Sequence, residues 1–534
     1  MSYQLPTFPY TTPPELRADA PAPARHPLVI VGGGLAGLTL AADLASRGVR
    51  CTLIDEDDTV GVRGASSRGI VYVQRSLEVM ARIGIFERIA AKGATWSIGR
   101  VLAGDEALYS FDRQAGNVSR QPPFVNLQQF YLEWFLVDRI VELGLTDLRW
   151  KQRVVGVRSH AEHVELDVQA PDGRYTLQAD WVVDAEGVNS FVRQALQLPE
   201  HTERGQDRWC ITDVRFRQQR PQERWTWIEA PFNANRGVWQ HPMADEVWRL
   251  DFQMAPDSDP AEVGKPEVAR ERVAQMLGPG VEFELVWVGP YSYRTMLMER
   301  FRHGRLLFIG DAAHAKSPFG ARGGNSGIMD ADNLGWRLGL LLQGRASPAL
   351  LDRYDAERHR AAEENIRITA RSGRFMQPRS PMEFTLRKAV LQLARRHAFA
   401  RTLLDAGRMC TPHHYGGLPG FGPGAEAGRA VPNVPLGDDA GAPALLDVLR
   451  AAGSEPVAFV FGPVPAALAR AVEAAGLPLR LQPTQSTLLR HATGATEGGV
   501  ALIRPDSHLA ATLPDNEPAA LLAAARTALA MEPA

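Results

Sequence analysis

The sequence predicts an α/β protein in which a nucleotide-binding domain carries an inserted antiparallel sheet and is followed by a small C-terminal α/β domain. Three observations predict this fold class. A glycine-rich turn at 32–37 joins an apolar strand to a helix, short aromatic-rich strands fill residues 210–300, and strands alternate with helices after residue 430. Strand–helix alternation is typical of parallel sheets, whereas runs of short strands and turns are typical of antiparallel ones.

The composition is that of a globular protein without a nucleic-acid footprint. The 534 residues include 59 Lys and Arg against 61 Asp and Glu, and no long basic run occurs, so we expect no nucleic-acid partner. No apolar run reaches the ~18 residues of a membrane span, and the proline-rich residues 1–26 lack the pattern of a signal peptide. Three widely spaced cysteines without a C-x-x-C pair indicate neither a zinc site nor a redox dithiol, and they suit the cytoplasm.

The first glycine-rich turn predicts a dinucleotide site. Residues 28–31 form an apolar strand, G-x-G-x-x-G follows, and a second strand at 49–54 ends in an acidic residue. In such a βαβ unit the glycines let a pyrophosphate approach the helix start, and the acid accepts a ribose hydroxyl. Asp55 is the expected ribose ligand, with Glu56 as the alternative. The residues predicted to bind the cofactor here are Gly32, Gly34, Leu35, Ala36, Gly37, Asp55 and Glu56.

A second glycine-rich segment, at 306–338, predicts an anion site. An apolar strand runs into Gly310 and Asp311, a loop rich in proline and glycine follows, and apolar residues then recur at helical spacing. Unpaired backbone N–H groups at a helix start bind anions, and a carboxylate after a strand can accept hydroxyl groups. Taken alone, such a segment is most often an ordinary strand–loop–helix turn. The candidate residues are Asp311, Pro318, Gly323, Gly324 and Asn325, the last of which is predicted to start the helix.

Several motifs, in order, give the chain a resemblance to a known family. Residues 308–338 resemble the GD motif of FAD-dependent monooxygenases of the p-hydroxybenzoate hydroxylase type, the group A flavoprotein aromatic hydroxylases. Residues 181–193 resemble the DG motif of that family, with Glu186 where Asp is usual. Residues 61–69 resemble the segment that crosses the flavin, and residues 125–136 match a family pattern of Gln four residues before Glu. The chain is similar in style to the 3-(3-hydroxyphenyl)propionate, resorcinol and phenol hydroxylase-like members.

The resemblance implies further cofactor contacts. It places Gln129 on a helix beside the cofactor, with Gln128 as the near alternative. It leaves open whether Asp184 shares the role of Glu186. The residues that it implies as contacts of the flavin or its phosphates are Arg63, Ser67, Arg68, Gln128, Gln129, Asp184, Glu186 and Gly187.

The number of nucleotide motifs decides which cofactor is expected to be bound. Two dinucleotides held in separate domains require two fingerprints, but the glycine-rich run at 416–428 follows no strand and is typical of a linker. One fingerprint with the GD-type motif indicates bound FAD, with NADPH or NADH as a visiting co-substrate. The resemblance then implies that O2 reacts to a flavin hydroperoxide, which hydroxylates a phenolic aromatic substrate. The alternatives are epoxidation, polyketide tailoring or halogenation on the same scaffold, and a flavin-binding scaffold without turnover.

The strands between residues 210 and 300 are predicted to cover an aromatic substrate over the flavin. Their many Trp and Tyr residues fit cross-strand pairs of a sheet as well as a substrate pocket. In relatives the neighbourhood of Tyr293 faces the flavin. Tyr293 or His241 is expected to hold the substrate phenol, and Arg294 to attract a carboxylate or phenolate. Pro318 is expected to help exclude water from the reacting atoms.

The patterns also divide the chain into domains. Residues 504–510 resemble part of the thioredoxin-like C-terminal domain of larger group A hydroxylases. Without C-x-x-C we expect this domain to serve the structure or a dimer contact, and we predict a homodimer. The predicted parts are a proline-rich arm at 1–26, an FAD-binding domain at 27–205 and 300–375, a substrate-binding sheet domain at 206–299, a helical linker at 376–429 and a thioredoxin-like domain at 430–534.

Overall fold

The computed structural model describes residues 4–17, 24–61, 69–404, 410–439 and 441–531. It confirms the predicted α/β class, with a Rossmann-type sheet of parallel strands, a second and mostly antiparallel sheet, and a small C-terminal sheet with its own helices. Among the helices that it describes, none combines the length and the apolar character needed to cross a bilayer.

The elements are numbered in chain order. Those of the first 216 residues are β1 Arg25–Val31, α1 Leu35–Ser46, β2 Cys51–Ile54, β3 Val71–Val73, α2 Gln74–Ile83, α3 Phe86–Lys92, β4 Ala94–Trp96, β5 Ile98–Ala103, β6 Glu106–Asp112, β7 Phe124–Asn126, α4 Gln129–Leu143, β8 Thr146–Arg149, β9 Arg153–Ser159, β10 Val164–Ala170, β11 Gly173–Asp184, α5 Phe191–Ala195 and β12 Glu200–Phe216.

The remaining elements follow in the same order. They are β13 Arg224–Ala230, β14 Arg236–Pro242, β15 Val247–Gln253, α6 Pro260–Val263, α7 Pro266–Leu277, β16 Phe283–Met298, β17 Arg302–His303, β18 Leu306–Phe308, β19 His314–Ala315, α8 Gly323–Leu342, α9 Leu350–Met376, α10 Pro381–Ala394, α11 Ala398–Leu404, α12 Leu445–Ala452, β20 Val457–Phe461, α13 Ala466–Ala475, β21 Arg480–Thr484, α14 Thr487–Thr493, β22 Val500–Ile503, β23 Leu509–Leu513 and α15 Pro518–Ala528.

The first sheet brings the nucleotide motifs to one edge. Its order is β17-β18-β11-β1-β2-β8, and β18, β11, β1, β2 and β8 run parallel to one another. Val31 at the end of β1 pairs with Ile54 on one side and with Asp184 on the other, and Asp184 pairs with Phe308. The turns after these strands therefore leave the sheet together, at the carboxyl edge where ligands bind in parallel α/β sheets.

The second sheet lies across the cavity at that edge. Its order is β19-β16-β12-β15-β14-β13-β5-β6, and every pair is antiparallel except β13 with β5. Two of its strands come from residues 98–112, and β12 begins at Glu200, so the sheet draws on residues outside the predicted 206–299 range. Buried side chains of α10 and α11 pack against the aromatic end of its inner face.

The C-terminal region forms a four-stranded sheet in the order β21-β20-β22-β23, with β20 and β21 parallel. A buried ion network joins it to the rest of the chain. Glu357 of α9 accepts hydrogen bonds of 2.8 Å from Arg337 of α8 and from Arg504, which also pairs with Asp506 at 2.5 Å. The thioredoxin-like assignment and the domain boundaries remain predictions.

Candidate cofactor and substrate site

One cavity of about 940 Å³ lies between the carboxyl edge of the first sheet and the inner face of the second. Its walls come from the glycine loop after β1, the turn after β11, the segment 310–327 and the strands β12 to β15. The cavity therefore joins the predicted nucleotide motifs to the predicted substrate sheet.

The glycines of the first motif serve two different structural roles. Gly32 has φ +108°, and a Cβ on it would lie 2.5 Å from the carbonyl oxygen of Ala185; a Cβ on Gly37 would lie 2.0 Å from the carbonyl oxygen of Gly32. These two glycines are needed for close backbone packing. Gly34 has no atom within 4 Å of its Cβ position and precedes the first residue of α1, with Leu35 and Ala36 beside it in the cavity wall. Its neighbourhood is open to an anion at the helix start.

Asp55 lies at the end of β2 and lines the cavity. Its carboxylate accepts hydrogen bonds from the backbone N–H groups of Gly33 at 2.5 Å and Asp57 at 2.8 Å. Burial raises the pKa of Asp55 to about 6, against the effect of these donors. Glu56 also lines the cavity but is more exposed, so Asp55 is the better placed of the two for a ribose hydroxyl.

The helix α4 contributes one glutamine and one glutamate to the cavity. Gln129 donates to Glu133 at 2.8 Å, and backbone N–H groups of Gly69 and Gly61 donate to Gln129 at 3.0 Å and to Glu133 at 2.8 Å. Burial raises the pKa of Glu133 to about 7. The sequence pattern used Glu133 only as a spacing marker, although its position one turn after Gln129 signals a shared site. Gln128 instead donates to the carbonyl of Ala244 at 3.2 Å and is not among the cavity-lining residues.

Glu186 and Asp184 share a network at the start of α5. Asp184 is fully buried and accepts hydrogen bonds from the backbone N–H of Glu186 at 2.9 Å and from the Ser190 hydroxyl. Glu186 accepts a hydrogen bond from the backbone N–H of Val192 at 3.0 Å while it lines the cavity beside Gly187. Burial raises the pKa of both carboxyl groups. The longer Glu side chain therefore turns back to cap the short helix α5, and Asp184 lies behind the wall.

The second glycine-rich segment supplies the opposite wall, including Asp311 and Pro318. The helix α8 begins at Gly323, two residues before the predicted start, and Gly323 and Gly324 line the cavity. The side chain of Asn325 is occupied within the protein. It accepts from the backbone N–H of Val73 at 3.2 Å and from the Ser76 hydroxyl at 2.7 Å, and it donates to the carbonyl of Val71 at 2.8 Å. Asn325 therefore ties α8 to β3 and α2.

The structure describes only some of the other predicted residues. Arg63, Ser67 and Arg68 fall outside the described residues. Tyr293 and Arg294 are not among the cavity-lining residues. Arg294 donates to the carbonyl of Val188 and to the Asn189 side chain at 2.7 Å, and so holds the turn whose residues line the cavity. The Tyr293 ring packs against Gly205, where a Cβ would lie 2.7 Å from a ring carbon.

An aromatic group forms part of the wall under the second sheet. Trp209 and Trp239 stack with ring centroids 4.4 Å apart, and Phe319 meets Trp239 edge-on at 5.3 Å. His241 lines the cavity near this group, and its role as a substrate contact stays a prediction. Burial, with the charges of Arg224 and Arg249, holds its pKa well below the usual range, so the imidazole is neutral. Such a wall suits a flat aromatic ring.

A buried polar chain, unrecognised in the sequence, runs from the cavity into the core. Lys316 lines the cavity, and its Nζ lies 2.9 Å from Nδ1 of His314. Nε2 of His314 lies 2.8 Å from Asp330, which also accepts from Arg358 at 2.6 Å. Burial lowers the pKa of Lys316 to about 8. Burial is the largest cause of this shift, and sequence spacing does not reveal it.

Known proteins share this architecture. A family model described as an FAD binding domain matches residues 25–369. The chain is 27% identical over 382 residues to a 3-(3-hydroxy-phenyl)propionate/3-hydroxycinnamic acid hydroxylase of Mycolicibacterium smegmatis. This alignment covers 70% of the chain and 65% of the relative. The chain is 30% identical over 388 residues to the 12-dehydrotetracycline 5-monooxygenase/anhydrotetracycline 6-monooxygenase of Streptomyces rimosus. This second alignment covers 69% of the chain and 73% of the relative. The chain thus spans less than two thirds of the first relative.

Solved structures match over nearly the whole chain. The flavin-dependent monooxygenase PieE in complex with FAD and substrate superimposes with a TM-score of 0.79 at 22% identity, covering 96% of this chain and 100% of that one. OxyS anhydrotetracycline hydroxylase from Streptomyces rimosus gives a TM-score of 0.73 at 25% identity, covering 96% and 100%. The likeness to PieE is a likeness of fold.

Proposed function

Because this chain belongs to the FAD binding domain family, we propose that it is a flavin-dependent monooxygenase that uses NADPH or NADH and O2 to hydroxylate a phenolic aromatic substrate. The observation that carries the proposal is the continuous cavity of about 940 Å³. It runs from two glycine-rich helix starts to a wall of stacked tryptophans, so a dinucleotide and an aromatic ring can share one cavity.

The residues present fit FAD. The starts of α1 and α8 offer backbone N–H groups to phosphate oxygens, and Gly34 leaves open space there. Asp55 offers a carboxylate to a ribose hydroxyl, and the pair Gln129 and Glu133 offers polar atoms in the same cavity. When bound, FAD would accept a hydride from the nicotinamide and supply the oxygen chemistry.

The chain's own residues would bind, orient and shield the substrate. Trp209 and Trp239 provide apolar surface that holds a ring and excludes water, and Phe319 packs edge-on against Trp239. The neutral His241 can hydrogen-bond a phenol hydroxyl in either direction, since one ring nitrogen donates and the other accepts. We therefore retain His241 as the proposed catalytic contact and assign Arg294 to positioning of the 187–189 turn.

Tailoring of a fused-ring polyketide is the second candidate. The relative that is 30% identical is a 12-dehydrotetracycline 5-monooxygenase/anhydrotetracycline 6-monooxygenase, so a fused-ring substrate is a specific alternative. The two candidates share the same hydroxylation chemistry and differ in the size of the substrate.

The test begins with the absorption spectrum of the purified protein. NADH and NADPH oxidation is then followed with phenols, hydroxylated aromatic acids, naphthols and anhydrotetracycline, while peroxide and hydroxylated product are quantified. A yellow protein whose oxidation one aromatic stimulates, with product matching the nicotinamide consumed, is the expected result. A protein that fails to take up FAD contradicts the proposal, and peroxide alone with every compound indicates a larger or non-phenolic substrate.

The proposal also covers assembly and compartment. We place the protein in the cytoplasm, since its three cysteines are buried free thiols in the structure. We also propose that the protein is a homodimer. Light scattering at several protein concentrations measures its molar mass and so tests this proposal.

A further inference from the structure

Two histidines and a glutamate meet at the turn between β9 and β10, and none of the three is among the cavity-lining residues. We infer that His160, His163 and Glu165 form a binding site for a divalent transition-metal ion such as Zn²⁺. The inference goes beyond the proposed function, because it concerns neither the cofactor nor the substrate. The cysteine spacing of the sequence argues only against a thiolate site, and this group contains no cysteine.

The geometry of the hairpin brings the three side chains together. Ser159 at the end of β9 pairs with Val164 at the start of β10, and the backbone N–H of His160 donates to the carbonyl of His163 at 2.9 Å. His160 and His163 therefore lie opposite one another across the turn. Glu165 follows His163 by two residues, and side chains two residues apart along an extended strand point to the same face.

The potential ligand atoms converge on one point. Nε2 of His160 lies 3.4 Å from Oε2 of Glu165, and Nε2 of His163 lies 3.6 Å from Oε1 of Glu165. One ligand atom from each of the three residues lies within 4.8 Å of the other two. Zinc bonds of about 2.0–2.2 Å in a tetrahedron hold the ligand atoms roughly 3.3–3.6 Å apart. Both distances to the glutamate therefore already suit a shared ion.

One of the ring nitrogens has no partner of its own. Nε2 of His163 is shielded from solvent and has no hydrogen-bond partner among the described residues. The rings of His160 and His163 stack, with centroids 4.5 Å apart and planes at 17°. A shielded polar atom without a partner costs free energy, and a metal ion is a common partner of a neutral imidazole. Because the ion lies in the plane of each ring that binds it, binding should turn the stacked rings towards one another.

The turn is held in place by two arginines from outside the hairpin. Arg25 donates to the backbone carbonyl of Glu162 at 3.1 Å, and Arg305 donates to the backbone carbonyl of Ala161 at 2.8 Å. The two residues between the histidines are therefore fixed by contacts that do not use the histidine rings. A fixed turn favours metal binding, since less conformational freedom is lost when the ion arrives.

Glu165 is oriented by its neighbours and still has lone pairs for a metal. It accepts hydrogen bonds from Arg158 at 2.8 Å and from Gln178 at 3.2 Å, one on each carboxylate oxygen. A carboxylate oxygen has two lone pairs, so one donor on each leaves a position for a metal bond. Arg158 also donates to Asp167 at 2.6 and 3.0 Å, so its single charge is shared between two carboxylates and does not neutralise both.

The ligand types select the kind of metal. Imidazole nitrogens suit Zn²⁺, Ni²⁺ and Cu²⁺, whereas Mg²⁺ and Ca²⁺ take oxygen ligands. Three protein ligands leave a coordination position open, and the His160 side chain is 44% exposed, so water can complete the shell. Within the part of the chain that the structure describes, no other group of three His, Cys, Asp or Glu side chains comes this close, so we expect one ion per chain.

Calorimetric titration of the tag-free, FAD-loaded protein with Zn²⁺ tests the inference, with Mg²⁺ as the comparison ion. We expect saturable one-to-one binding of Zn²⁺ and no binding of Mg²⁺ at the same concentrations. His160→Ala, His163→Ala and Glu165→Gln should each weaken Zn²⁺ binding roughly 10- to 100-fold. X-ray absorption spectroscopy at the zinc edge should show two imidazole ligands in the wild-type complex.

Two matched controls use the same residue types outside the site. His201→Ala removes a histidine that is 80% exposed and lies 3.9 Å from Glu299, but that belongs to no group of three ligands in the described ranges. Glu162→Gln removes a charge from the same turn, although this side chain pairs with Arg305 instead. Both variants should bind Zn²⁺ within roughly threefold of the wild type. Flavin content and thermal unfolding without added metal report whether each variant is folded.

The outcomes decide the inference without reference to catalysis. Loss of affinity in the three ligand variants but in neither control supports it. Wild-type affinity in His160→Ala and His163→Ala places the ion elsewhere and overturns it, as does a wild-type protein without saturable Zn²⁺ binding. Flavin uptake and hydroxylation are measured separately, so failure of the metal site leaves the proposed function intact.

Discussion

The amine of Lys316 lies 2.9 Å from Nδ1 of His314, on the wall of the cavity. The Nε2 atom of His314 lies 2.8 Å from the ionised Asp330, so Nε2–H donates a hydrogen bond to that carboxylate, and Nδ1 accepts one from Lys316. The groups that bear on the amine are Asp330, Asp311, Cys410 and Arg358 as well as His314. This arrangement holds one positive charge in the cavity over a limited pH range.

We expect that charge to titrate within the range in which the enzyme can be assayed. Burial lowers the pKa of Lys316 to about 8, so the ammonium is present below pH 8 and lost above it. Affinity for an anionic aromatic ligand such as 3-hydroxybenzoate should therefore fall roughly threefold to tenfold across pH 8. Lys316→Met should show, at every pH, the low affinity of the uncharged amine. Lys316→Arg should show, at every pH, the high affinity of the charged one. An unchanged decline in Lys316→Met contradicts the assignment.

FAD binding should weaken in mild acid because of Asp55. Burial raises the pKa of Asp55 to about 6, and only the ionised carboxylate accepts two ribose hydroxyls freely. The bound state therefore favours loss of the proton, and the dissociation constant should rise as the pH falls below about 6. Fluorescence titration of the apoprotein measures it. Asp55→Asn should raise the constant roughly 10- to 100-fold at pH 7.5, whereas the control Glu56→Gln should change it little.

The two glycines Gly34 and Gly37 should fail in different ways when changed to alanine. Gly34 has φ −79° and open space around its Cβ position, so Gly34→Ala should fold with normal stability and bind FAD poorly. A Cβ on Gly37 would lie 2.0 Å from the Gly32 carbonyl oxygen, so Gly37→Ala should lose about 1–3 kcal/mol or more of stability. Thermal unfolding of both apoproteins, with FAD titration, separates the effects. Equal destabilisation by both substitutions is the contrary result.

Glu357 should be among the most sensitive positions for stability, because it lies between Arg337 and Arg504 and all three are buried. Glu357→Gln should cost about 3–5 kcal/mol in the free energy of unfolding, since Arg337 loses its carboxylate partner and Arg504 keeps only Asp506. Glu142→Gln is the control: Glu142 is 55% exposed in its pair with Arg139, and its loss should cost less than about 1 kcal/mol. Denaturant unfolding measures both.

The same carboxylate gives a pH dependence. Burial alone would raise the pKa of Glu357, but Arg337 and Arg504 outweigh it and lower the pKa to about 2. A depressed folded pKa means that this stabilisation is complete above the ordinary value near 4.5 and is lost as the pH falls towards 2. Glu357→Gln should lack this part of the acid-induced loss. Limited proteolysis should also release the C-terminal region of the variant first.

Local features of the sequence determined the fold class and the nucleotide site. The spacing of Gly32, Gly34 and Gly37 with Asp55 at the next strand end is a property of one short βαβ unit, and neighbouring parallel strands bring such turns to one edge. The helix start of the GD-type segment could be predicted for the same reason, because consecutive residues determine the geometry of a glycine-rich helix start. These parts could be predicted because their chemistry and their spacing coincide.

Only the tertiary structure decided which side chains of the second sheet line the cavity. Arg224, His241 and Asp251 come from three strands, and the alternation of side chains along a strand tells which residues share a face but not which face covers the cavity. For the same reason Tyr293 and Arg294 are not among the cavity-lining residues, although Tyr291, two residues before Tyr293, is one of them. The protonation of Lys316, Asp251 and Glu133 depends on burial by distant segments, which removes water from a charge and which no local sequence pattern encodes.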